Sequence, residues 1–189
     1  MRAILDEPVA AQYSDVMLTR WLDEGNRDLA RSTRAFKDQI TFPAIADNAV
    51  YPMPPETVGV EQVYLYSGGQ TYNLSAHHFE DFDALRHGYA SSMSGGIPTF
   101  YSTFGFTPNL FIVVFPAPNL STDSFEVYAS RLPAPMDPAH PNDPVDVLAV
   151  WYDALADYCE YKALRRDRDP RWQEAFAIYK EKRDGLINN

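Results

Sequence analysis

The residues best suited to metal chemistry crowd one short stretch: His77, His78, Glu80, Asp81, Asp83 and His87. Over a helix, His77 shares a face with Asp81, and Asp83 shares one with His87, so imidazoles and carboxylates could meet a divalent cation. The competing reading is a short polar helix over His77 to Arg86, capped by Ser75, with acids in the first turns where the helix dipole favours them. Two ligands rarely hold a metal, so neither a metal site nor another cofactor is expected. A metal-dependent enzyme using His77 and His87 is the weakest functional alternative. Cys159 is the sole cysteine, which excludes an intramolecular disulfide and any cysteine-only metal site. It sits beside Tyr158 near an apolar stripe, where a small buried hydrophobe is expected rather than a thiolate.

No glycine-rich phosphate loop, dinucleotide fingerprint, nucleophile elbow or His-Glu-x-x-His is present. What remains is charge and aromatic surface. Arg165, Arg166, Arg168 and Arg171 form a basic cluster broken by Asp167 and Asp169. That pattern suits an ion-pairing surface for an acidic protein better than a DNA site. Twelve Tyr, eleven Phe and three Trp serve either sheet packing or protein–protein contact.

The chain has 189 residues, with 26 acidic and 16 basic groups and a formal charge of −10. The imbalance lies almost wholly in 38–159, where Arg86 and Arg131 face fourteen acids. Such a surface repels phosphate backbones, so groove-reading of nucleic acid is disfavoured. The longest apolar run, Leu110 to Phe115, is strand length, far short of the ~18 residues of a membrane span. The opening Met-Arg-Ala-Ile-Leu-Asp-Glu places two acids where a secretory signal needs apolar residues, so a cytosolic chain is expected.

Three helices must position these residues. The first starts at a Ser14 cap and carries Leu18, Trp21, Leu22, Gly25, Leu29, Ser32 and Phe36 on one face. Arg20, Asp23, Glu24, Arg27, Asp28, Arg31 and Arg34 fall opposite. Gly25 is expected to let another backbone approach. The second helix is expected to start at Asp143 and Pro144 and to carry Leu148, Trp151, Leu155, Tyr158 and Lys162. The third repeats the device with Asp169 and Pro170, and carries Trp172, Ala175, Phe176, Tyr179 and Leu186. A short polar corner joins the last two as an antiparallel hairpin.

Between them the period changes to two. Strands are expected at Gln39–Phe42, Val50–Met53, Val60–Tyr66, Gln70–Leu74, Thr99–Phe104, Leu110–Phe115 and Phe125–Arg131. Ser67-Gly68-Gly69 reads as a hairpin turn, Tyr89–Gly96 as a mobile loop and Pro133–Pro144 as a stiff connector. Pro43, Pro52, Pro54 and Pro55 mark the early strands as edges. The fold class is α+β: a helical layer from an N-terminal helix and a C-terminal hairpin, with an inserted, mainly antiparallel β-sheet. The expected organisation is a single domain over 1–189, helical over 14–37 and 144–187, with the β insertion at 38–135.

Several local patterns, in order, resemble the head-to-tail adaptor (connector, tail tubular protein A-like) proteins of tailed bacteriophages. Trp21-Leu22-Asp23-Glu24-Gly25-Asn26-Arg27-Asp28-Leu29-Ala30 resembles that family's opening helix. Val50-Tyr51-Pro52-Met53-Pro54 resembles its Tyr-x-Leu-Pro strand exit, followed by Val60-Glu61-Gln62-Val63-Tyr64. Gly96-Ile97-Pro98-Thr99-Phe100-Tyr101 and Phe115-Pro116-Ala117-Pro118 resemble its Gly-x-Pro-x-x-Tyr and Pro-x-Pro segments. The helices from Trp151-Tyr152-Asp153-Ala154-Leu155 to Leu186 resemble its closing hairpin. The resemblance implies a virion structural protein at the neck, made in the bacterial host cytoplasm. It implies a homo-oligomeric ring, typically of twelve copies, between portal protein and tail or nozzle protein. Double-stranded DNA would pass through the ring without specific binding, aided by the acids of 38–159 if they face the lumen. The expected partner-facing residues are Arg165, Arg166, Arg168, Arg171, Tyr179, Lys180, Lys182 and Arg183, docking on an acidic portal surface. Truncation after Asp169 is expected to remove that docking. The alternative is a monomeric protein-binding module.

Overall fold

The computed structural model describes residues 12–81, 95–140 and 145–188. The chain divides into two compact units, one of Met1–Ala35 with Leu132–Asn189 and one of Phe36–Arg131.

In the first unit, helix α1 spans Asp15–Thr33, and the Ser14 side chain accepts the Met17 N–H as anticipated. The helix stops earlier than its stripe suggests. Arg34 takes a left-handed conformation (φ 52°) and donates its N–H to Ala30. Phe36 therefore leaves the helix, and its ring sits under the Arg131 guanidinium. Leu18, Trp21, Gly25 and Leu29 are buried, and so are Asn26 and Ala30, one position round the helix. Asn26 is tolerated there because its amide donates to the Asp146 carbonyl at 2.9 Å.

Helix α2 spans Tyr152–Arg166, preceded by a 3-10 turn at Ala149–Trp151. This start differs from the expected one. The cap pair Asp143 and Pro144 lies outside the described residues, and 145–148 are not helical. Leu148 is extended (φ −80°, ψ 135°) and partly exposed. The preceding Val145 and Val147 are β-branched and weak helix formers, and the helix begins where Trp151, 1 % exposed, anchors the chain. Helix α3 spans Trp172–Ile187. It starts later than the expected Asp169 and Pro170 pair: Arg171 stands at the cap without a side-chain cap bond, and Asp169 instead shapes the turn before it, its carboxylate accepting the Arg171 N–H at 2.9 Å.

The three helices pack around tyrosines. Tyr158 meets Tyr179 at 5.0 Å and Tyr161 at 5.7 Å between ring centres, and Tyr161 meets Phe176 at 4.8 Å. A β-carbon on Gly25 would lie 2.8 Å from the Tyr158 ring and 3.1 Å from Leu155. The glycine thus admits side chains of α2, not the backbone expected. Several acids of the supposed solvent face also turn inward. Asp28 accepts the buried Tyr179 hydroxyl and lies 3.5 Å from Arg183, and Asp23 accepts the Met136 N–H.

The second unit is mainly antiparallel, and its strands divide between two sheets. Strands β1 (Lys37–Pro43), β2 (Val50–Pro52), β3 (Thr57–Ser67), β4 (Gln70–Asn73), β5 (Ser75–Ala76), β6 (Phe100–Phe106), β7 (Asn109–Phe115) and β8 (Ser124–Arg131) follow in order. They pair as β1-β8-β3-β4 and β2-β7-β6-β5. The proline-marked β1 and β2 are indeed edges. Gly68 (φ 57°) and Gly69 (φ 78°) form the two-residue β3–β4 turn. Inward residues of both sheets, among them Tyr51, Val63, Leu65, Ile112, Val114, Phe125 and Val127, share one core. Ser75 is not a helix cap. It pairs in parallel with Phe100 in β5–β6, and helical structure begins only at 79. Residues 89–94 of the expected loop, with Asp83, Arg86 and His87, lie outside the described residues.

Candidate functional site

Leu18 and Trp21 turn α1 against α2, where Cys159 and Ala163 complete a small core. A groove of about 510 Å³ lies between the two helices. Trp21 and Met17 form its apolar lining. Arg20 and Glu24 line the α1 side, and Lys162, Arg165 and Arg166 the α2 side. Four cations and one carboxylate give a formal balance of +3 around an apolar floor.

The cations are held in place. Glu24 accepts from Lys162 at 2.5 Å and from Arg20 at 3.0 Å. The Arg165 guanidinium donates to the Tyr161 hydroxyl at 2.7 Å and lies over the Tyr161 and Trp172 rings. Arg166 donates to the Gln12 carbonyl at 3.0 Å and covers the Tyr13 ring at 5.4 Å. Stacked guanidiniums keep unused N–H groups for a ligand while losing little further side-chain freedom. The arrangement suits an acidic segment that also inserts an apolar side chain.

Burial pushes the Glu24 carboxyl up, but the Lys162 and Arg20 bonds outweigh it and hold it below its ordinary value of 4.5. The sign of its contribution follows. A depressed carboxyl stabilises the fold above its unfolded pKa, and that stability is lost as pH falls through the folded value. Glu24→Gln should cost about 1 kcal/mol at neutral pH. The gap to the parent should narrow as pH falls below that ordinary value and acid protonates the parent's carboxylate. Urea melts from pH 7 to 3 check this, and a gap independent of pH would refute it.

Of the anticipated partner-facing residues, Arg165 and Arg166 line the groove. Arg168, left-handed at φ 58°, sits in the exposed α2–α3 corner. Arg171 is clamped by Asp169 through Nε and Nη2. Lys180 is exposed on α3. Lys182 pairs with Asp157 at 2.6 Å, and Arg183 with Asp28 and Asp184. Tyr179 is 1 % exposed, so its ring belongs to the chain's own helical core and cannot meet a partner. Met17, Arg20, Trp21, Glu24 and Lys162 are the groove residues that sequence reasoning missed. Lys162 carried a signal, since a lysine on an otherwise apolar stripe implies a carboxylate across the helix contact.

The other candidates are quieter. Cys159 is fully buried, and burial pushes its thiol up to about 12, which suits packing and not nucleophilic chemistry. The His77 ring lies edge-on to Phe100 at 4.8 Å. Among the described residues no three His, Cys, Asp or Glu side chains come together as a metal site, and no helix is long and apolar enough to cross a membrane.

A family model for the SU10 adaptor protein matches residues 1–189. The chain belongs to the SU10 adaptor protein family. No curated protein matches it. Membership makes this a phage adaptor, a virion structural protein that interacts with other phage structural proteins such as portal and tail. It implies assembly and not catalysis, in keeping with a site built of anchored cations over an apolar floor.

Proposed function

We propose that this adaptor works at the head–tail junction as a ring of identical copies between portal and tail, and that the α1–α2 groove receives an acidic segment of the portal. The observation that carries the docking is the groove itself: Arg20, Lys162, Arg165 and Arg166 flank an apolar floor of Trp21 and Met17. An acidic, apolar segment would gain charge-assisted hydrogen bonds and area burial together. Arg168 extends the exposed basic corner beyond Arg166, and Arg171, Lys180, Lys182 and Arg183 are proposed as further partner contacts elsewhere on the helical unit. In this reading the packaged genome passes through the ring. The strand unit 36–131 holds three basic and nine acidic residues, and carboxylates lining a channel would let duplex DNA slide without gripping its phosphates.

The test is to mix the purified chain with a portal ring and measure stoichiometric binding. Truncation after Asp169 is the wrong probe, because removing α3 strips Tyr179 from the core. Arg165→Glu with Arg166→Glu is better, since both side chains are exposed. Affinity should fall about tenfold. Raising salt from ~0.1 M to ~1 M, which cuts the screening length from about 10 Å to about 3 Å, should weaken the parent complex. Binding indifferent to both changes would overturn the docking role.

A further inference from the structure

The outward face of the β1-β8-β3-β4 sheet carries a carboxylate set among phenols. Strand alternation sends Glu126 and Tyr128 of β8 to the same side, opposite the buried Phe125 and Val127. Glu126 pairs in register with Thr41 of β1 and Tyr64 of β3. Tyr66 donates its hydroxyl to Glu126 at 3.0 Å. Tyr64 and Tyr128 meet edge to face at 5.9 Å. Tyr66 and Tyr128 remain 39 % and 40 % exposed, so their rings face solvent. Proximity to Glu126 raises the phenol pKa of both Tyr66 and Tyr128. Lys37 lies on the same sheet face but is bound to Glu61. Among the described residues, no cation pairs with Glu126.

The complement exists in the same chain. Arg27 and Arg31 stand one turn apart on α1, and Arg34 follows at its left-handed C-terminal cap. Arg31 and Arg34 are exposed, Arg27 half-buried. Among the described residues, none of the three has an ion partner. A guanidinium can lie flat on a tyrosine ring while donating to a carboxylate beside it, which a lysine ammonium does less well.

We propose that the Glu126–Tyr64–Tyr66–Tyr128 face of one copy receives Arg27 and Arg31 of α1, with Arg34 at its cap, from a neighbouring copy. The contact is heterologous, strand unit to helical unit, and repetition of such a contact closes a ring when the rotation permits. This rests on the reading that copies assemble side by side, and it names the surfaces they use. The tyrosine rings supply area, Glu126 supplies the charge, and the surrounding Gln39, Gln62 and Thr41 form a neutral polar rim.

The test uses the full chain and its concentration-dependent mass by sedimentation. Glu126→Arg should weaken self-association about tenfold, and Arg27→Glu with Arg31→Glu should do the same. Mixing the two variants should restore association, because each presents the surface the other still matches. Near-ultraviolet circular dichroism checks that each variant is folded. A second measurement is oxidative cross-linking of a chain carrying Tyr128→Cys and Arg31→Cys, which should give a ladder of multimers. Cys159 is fully buried and stays out of that reaction. A control pair with Lys180→Cys in place of Arg31→Cys should give none. Association unchanged by the charge reversals, or a chain that stays monomeric with no ladder, overturns this contact. Portal binding is measured separately, so its loss with these surfaces intact would count against the adaptor docking and not against this interface.

Discussion

Phe125→Ala should lower the unfolding free energy of the strand unit by about 3–5 kcal/mol. Phe125 has no solvent exposure and stands on β8, hydrogen-bonded on both sides between β1 and β3. Its ring meets Phe42 of β1 at 5.6 Å and Tyr51 of β2 at 5.1 Å. Because β2 belongs to the other sheet, this trio ties the two sheets together. Tyr51 cannot shift into the space left behind. Its hydroxyl is fixed, accepting from the Ile45 N–H at 3.1 Å and donating to the Asn48 carbonyl at 3.0 Å. The cavity therefore stays open, which puts the cost at the upper end for a large-to-small change. Phe125→Leu keeps most of the volume and should cost under about 2 kcal/mol. Urea unfolding followed by tyrosine near-ultraviolet dichroism measures both. Trp21, Trp151 and Trp172 all lie in the helical unit, so tryptophan fluorescence would miss the change. A loss under 1 kcal/mol for alanine would show that the sheets are held together elsewhere.

The strands that meet at Phe125 were legible one by one. Phe125, Val127 and Ala129 alternate with polar or exposed positions, so periodicity found seven of the eight strands, within two residues at every end except the start of β3, which lies three residues earlier at Thr57. The partition into two sheets was not legible. It depends on β8 returning between β1 and β3 across more than fifty residues, and no local signal encodes a pairing that distant. Ser75 shows the opposite error. Its capping chemistry is real in isolation, but parallel pairing with Phe100 outweighed it. Asn26 and Ala30 were missed because a helix covered by two others buries more than the single stripe that amphipathicity reveals. The groove was half legible. Arg165 and Arg166 announced a basic corner, whereas Trp21 and Met17 become its floor only once α1 and α2 are neighbours.

Gly105→Ala should cost about 2–4 kcal/mol, although the residue is exposed and its side chain is a single hydrogen. Gly105 sits at φ +84°, in the left-handed region where an L side chain is strained. A β-carbon there would stand 2.2 Å from the Asn109 carbonyl oxygen. That oxygen is backbone, in the strand paired with Gly105 through Leu110, so it cannot swing aside as a side chain could. Either the β6–β7 ladder opens at its tip or residue 105 leaves its conformation. Both outcomes break the Phe106–Asn109 pairing and pull on Thr107, whose hydroxyl donates to the carbonyl of the buried Thr57 at 2.5 Å. The neighbouring position supplies the contrast. Phe106 is 86 % exposed, so Phe106→Ala should change stability by less than about 0.5 kcal/mol. Two adjacent residues at one hairpin tip thus separate backbone geometry from side-chain burial. Parallel urea melts of the two variants read the difference directly, and equal midpoints would mean that the tip relaxes without cost.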